Sequence, residues 1–89
     1  MTPVEAAQAM VEYATRKAKA KHPLFPTNIY GMSSILAEES LEAVQAANDV
    51  MAGKVQATAF FSEVSHVAAV CNRILESQYA FHAEENYDG

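Results

Sequence analysis

The stretch AEESLEAVQAAND, from Ala37 to Asp49, sets Glu38, Glu39 and Glu42 into little more than one turn of a helix. Glu39 belongs to the series Met32, Leu36, Glu39, Ala43, Ala46 and Val50. Its 4-3-4-3-4 spacing is that of a helix seam packed against a neighbour, so an acid stands where an apolar residue belongs. Phe60, Glu63, Val67, Val70 and Ile74 then follow a 3-4-3-4 spacing, and again an acid interrupts the seam. His66 stands three residues after Glu63, as Glu42 stands three after Glu39. Two adjacent antiparallel helices thus each offer a polar pair at i and i+3.

A desolvated carboxylate without a partner takes up a proton, and several gathered in one place need a cation among them. Hard carboxylate oxygens from facing helices suit magnesium or manganese, which bind few protein groups and leave positions for water and phosphates. Helical bundles build metal sites from inward acids in this way. Glu42, about 60° around and about 4.5 Å along the helix from Glu39, can aim at the same point. Glu39, Glu42, Glu63 and His66 are therefore the candidate ligands, with Mg2+ or Mn2+ as the cofactor. The competing reading places Glu38, Glu39 and Glu42 on a wet outer face and makes His66 a hydrogen-bonded core residue. Arg73 lies two turns beyond His66 on nearly the same face, where an anionic group of a substrate or plain solvent would meet it. His22 and His82 fall in a break and in the tail, and no role attaches to them.

Three helices must position these groups, over about 3–21, 28–52 and 54–80, in a single domain spanning 1–83 with a polar tail at 84–89. TPVE opens the first: Thr2 as N-cap, Pro3 at the first helical position and Glu5 as reciprocal partner. Val4, Ala7, Val11, Ala14 and Ala18 give it a narrow, alanine-rich stripe. Pro23 and Pro26 end it, and Leu24 with Phe25 is expected to tuck under the bundle. Thr27 or Asn28 caps the second helix, and Gly53 stops it in the left-handed region. Strand signals are weak, so the class is all-α.

The 89 residues allow one domain, and half of them are hydrophobic. A net charge of −5 speaks against a polynucleotide partner. The bases of RKAKAK, residues 16–21, suit a solvated helix C-terminus, or else rim an anion site. Cys71 stands alone in an apolar run and reads as a small core residue. No signal peptide and no apolar run of about 20 residues is evident, so the expected location is cytoplasmic, without a membrane partner.

ILAEESLEAVQAAND and FFSEVSHVAAVCNRILE together resemble the all-α nucleoside triphosphate pyrophosphohydrolases, the MazG-like family. That family's signature is Glu-Glu-x-x-Glu and, after an interval, Glu-x-x-Asp. Glu38, Glu39 and Glu42 match the first half and Glu63 opens the second; the resemblance covers residues 35–76. It implies magnesium held by Glu39, Glu42 and Glu63, and Glu38 as a further ligand or water-orienting base. A nucleoside triphosphate would be the substrate, hydrolysed to a monophosphate and pyrophosphate. His66 stands where the family has Asp, and Ser62 where a preceding Glu is common. Losing an anionic ligand weakens a site for hard cations, so a non-catalytic helical dimer that binds a nucleotide or partner is the alternative.

The third helix is apolar nearly all round, with Phe60, Val64, Val67, Ala68, Val70, Cys71, Ile74 and Leu75 covering more than one face. Such a helix must be buried on several sides, which predicts a homodimer or higher oligomer completing an antiparallel bundle.

Overall fold

The computed structural model describes the backbone of residues 1–87 and the side chains of residues 1–79. Among these residues there are three α-helices and no strand: α1 (Pro3–Lys21), α2 (Ile29–Met51) and α3 (Ala57–Tyr87).

Local chemistry fixes the starts and stops. Thr2 and Glu5 form a capping box, with Glu5 N donating to Thr2 Oγ1 at 3.1 Å and Thr2 N to Glu5 Oε1 at 2.9 Å. Asn28, not Thr27, caps α2: its Oδ1 accepts from Gly31 N at 2.7 Å. Gly31 meets a second demand, because a Cβ there would lie 2.8 Å from Pro26 Cβ, so the linker can cross the helix start only over a glycine. At the other end Gly53 has φ +73°, and Lys54 N donates back to Asp49 O at 2.9 Å. That turn takes up residues through Gln56, so α3 begins at Ala57, later than the expected 54. Its backbone then stays helical to Tyr87, past the expected end near 80; residues 88–89 of the expected tail lie outside the described residues.

α1 and α2 both pack on α3 and not on each other. The short turn makes α2 and α3 an antiparallel hairpin. α1 runs parallel to α3, since Thr15 meets Asn72 and Lys19 meets Glu76 in rising order. At about 100° per residue the packed faces of α3 separate cleanly. Val67, Val70 and Ile74 look toward α2, while Ala69, Asn72, Arg73 and Glu76 look toward α1. A third face, roughly 120° from each, carries Phe61, Val64, Ala68, Cys71 and Leu75 at 3-4-3-4 spacing. Among the described residues no helix packs on it: Phe61 is 58% exposed and Leu75 59%, while Ala68 and Cys71 between them are half-buried.

Among the described residues the buried apolar core is small, comprising Ala14, Met32, Ala43, Ala69 and Val70. Both expected seams lie inside, with Ala43 and Val70 buried and Leu36, Val67 and Ile74 half-buried. Two expectations fail. The first half of the α1 stripe is exposed at Val4 and Ala7, and packing begins at Val11. Leu24 is 90% exposed while Phe25 turns inward, because consecutive residues of an extended segment point to opposite sides.

Candidate metal centre

α2 and α3 face each other at the level where each seam carries its acid. One ligand atom from each of Glu39, Glu63 and His66 can be chosen so that all lie within 4.8 Å of one another. Donor atoms sharing one dication stand at most about 4–5 Å apart, twice a metal–oxygen distance. Three helix positions produce the cluster: Glu39 projects from the α2 seam, Glu63 from the α3 seam, and His66 one turn further along α3, on the edge nearer α1.

Inside the cluster, His66 Nδ1 lies 3.3 Å from Glu63 Oε2, with side-chain exposures of 47% and 29%. When Nδ1 carries the proton it donates to Glu63, and Nε2 keeps its lone pair for another partner. Glu39 is worse provided for. Its Oε2 is shut off from solvent and has no hydrogen-bond partner. Burial pushes the Glu39 carboxyl above the usual carboxylate range, and the charges of Glu42, Glu63 and Glu38 push it further, while His66 works against them. This is the signature of an acid short of positive charge.

Glu38 and Glu42 stand apart from the convergent donors. Both are exposed, and Glu42 reaches Glu39 through its charge rather than through a shared point. The donors that converge are those paired across the hairpin, Glu39 with Glu63 and His66, while the offset of about 60° leaves Glu42 on the exposed flank of α2.

Arg73 is placed elsewhere again. Only 9% exposed, it lies with its guanidinium 4.5 Å from the Phe25 ring centroid, and Nη1 points at Ala18 O at 3.5 Å. Its charge meets the negative pole of α1 and its flat face meets an aromatic ring, an arrangement that holds the α1–α2 linker in place. Of the two positions expected for it, facing an anionic group or plain solvent, the burial sets aside the solvent-facing one. The sequence reading missed this partnership; the signal it had was an aromatic residue between two prolines, facing one cation in an apolar helix.

The donor set suits a dication. Two carboxylates and an imidazole are borderline-to-hard, and the orphaned Glu39 oxygen is the atom a cation would satisfy. Comparison of the chain with protein-family models, with curated proteins and with solved structures gives no match. No helix among the described residues is long and apolar enough to cross a membrane.

Proposed function

We propose that the protein is a metal-dependent nucleoside triphosphate pyrophosphohydrolase of the MazG-like kind, acting as a homodimer. One observation carries the reading: Glu39 Oε2 is buried and unpartnered, on a carboxylate that offers an oxygen within 4.8 Å of donor atoms of Glu63 and His66. A protein that gains nothing from a cation would have an apolar residue at that point of the seam. Glu39, Glu63 and His66 hold the ion, which is Mg2+ or Mn2+, and Glu42 adds charge from the rim. Glu38, exposed on the same turn, orients water at the mouth. A bound dication neutralises phosphate charge and lowers the pKa of an attacking water. The homodimer is supported by the apolar face that α3 leaves open.

His66 supports a second reading. Imidazole is a weaker partner for magnesium than the carboxylate it replaces, which favours binding without turnover. Incubating the protein with a panel of canonical and modified nucleoside triphosphates and Mg2+ or Mn2+ separates the two. Pyrophosphate release that Glu39→Ala abolishes is the expected result. Calorimetric binding of metal and nucleotide with no pyrophosphate would establish the non-catalytic reading instead.

A further inference from the structure

We infer that the third face of α3 pairs with the same face of a second copy, antiparallel, about a two-fold axis passing at Ala68. The inference specifies the interface of the proposed homodimer and is independent of metal and nucleotide. Its first support is the order of residues along the stripe. Phe61 and Leu75 stand seven positions on either side of Ala68, while Val64 and Cys71 stand four before and three after it. Reversing the helix about Ala68 therefore lays Phe61 against Leu75 and brings Val64 within one residue, about 1.5 Å along the axis, of Cys71, large groups outside and the small residue at the crossing. That self-match is what an isologous contact requires. Close approach at the centre is open because Ala68 offers only a methyl group.

A second support is a pocket. Between α2 and α3, on the flank bordering the third face, lies an apolar recess of ≈ 300 Å³ lined by Ile29, Met32, Leu36 and Ile74 among others. Its α3 wall, Ile74, Ser77 and Gln78, lies at the level of Leu75, the end of the stripe to which the two-fold operation brings Phe61 of the second copy. Charge agrees with this arrangement: no Asp, Glu, Lys or Arg occurs on the arc from Phe61 to Leu75. The outward face of α2 is also apolar in part, with Leu41, Val44 and Met51 exposed. Asn48, however, interrupts it with a polar side chain.

Sedimentation of the whole chain at about 10 μM tests the interface, and oxidative cross-linking tests its register. Wild-type protein is expected to sediment at twice its 9.7 kDa. Ala68→Glu, which sets two like charges face to face on the axis, is expected to give a folded monomer. For the register, Val64→Cys leaves the helix intact and places a thiol against Cys71 of the second copy. Diamide should convert this variant into a disulfide-linked dimer on a non-reducing gel. Wild-type protein should remain uncross-linked, because its two Cys71 thiols stand six residues out of step, about 9 Å along the axis. Within one chain, positions 64 and 71 are two turns apart and cannot bridge. Monomeric wild-type protein overturns the inference. So does a dimer that Cys71 alone cross-links as readily as Val64→Cys, since that requires parallel pairing.

Discussion

Replacing Glu39 with leucine should raise the stability of the metal-free protein and abolish its response to dications. The magnitude follows from what Glu39 lacks. A buried carboxylate oxygen without a partner costs about 1–3 kcal/mol, and repulsion from Glu42 within the same helix adds about 0.2–0.5 kcal/mol. Leucine between Leu36 and Ala43 also extends the apolar seam, for about 1 kcal/mol at half burial. A gain of about 2 kcal/mol is a conservative total, and in a domain of this size it raises Tm by roughly 10 °C. Metal reverses the order: at a hundred times its Kd, Mn2+ stabilises the wild-type protein by about 2.7 kcal/mol and the variant not at all. The pH dependence has a definite sign. The folded-state pKa of Glu39 is raised, so the group's favourable contribution is present below the usual carboxylate value and lost as pH rises through the raised one. The advantage of Glu39→Leu is therefore small in acid and full at neutral pH. Thermal unfolding followed by circular dichroism, at one protein concentration, with and without Mn2+ and at pH 4 and 7, reads all of these terms. A variant less stable than wild type at pH 7 without metal, or one that Mn2+ stabilises equally, would refute the reasoning.

His66→Asp should raise magnesium affinity about tenfold by calorimetry, because it exchanges a borderline nitrogen for a hard oxygen. Arg73→Ala should lower stability by about 2–3 kcal/mol through loss of the Phe25 stack and the buried aliphatic stem. A substrate-binding Arg73 would instead raise the nucleotide KM and leave Tm unchanged. Gly31→Ala should cost about 1–3 kcal/mol in denaturant unfolding, since the added Cβ meets the Pro26 ring rather than a yielding side chain.

Spacing alone located both seams and the acids within them, because a helix seam is periodic and an acid in it is conspicuous. The capping box at Thr2 and the stop at Gly53 were equally legible, each being a local contest between few groups. Which acids converge was not. Glu42 and Glu63 are alike in the sequence, but only the packing of α2 against α3 decides that Glu63 faces Glu39 and Glu42 faces solvent. The linker resisted for a similar reason. Leu24 and Phe25 are both apolar, and the choice between them depends on Arg73, nearly fifty residues away, needing a ring to lie against. Long-range partners of that kind leave no periodic trace.

His66 and Arg73 share an edge of α3, two turns apart and about 20° around the helix, between the face that meets α1 and the face that meets α2. The two ends of that edge are opposites. At one, Phe25 lies over a buried guanidinium whose charge is met by the α1 carbonyl end, so the cleft is closed and its cation already engaged. At the other, His66 is 47% exposed on its side chain, and the acids beside it gather negative charge with no cation in contact. On the proposed reading a cation would meet the acids from the exposed His66 end, and a phosphate would approach once their charge is neutralised. That order, cation first and anion second, would follow on this reading from the placement of the one arginine of α3 at the closed end. A second arginine at the open end would have given a site able to take a phosphate with no metal at all.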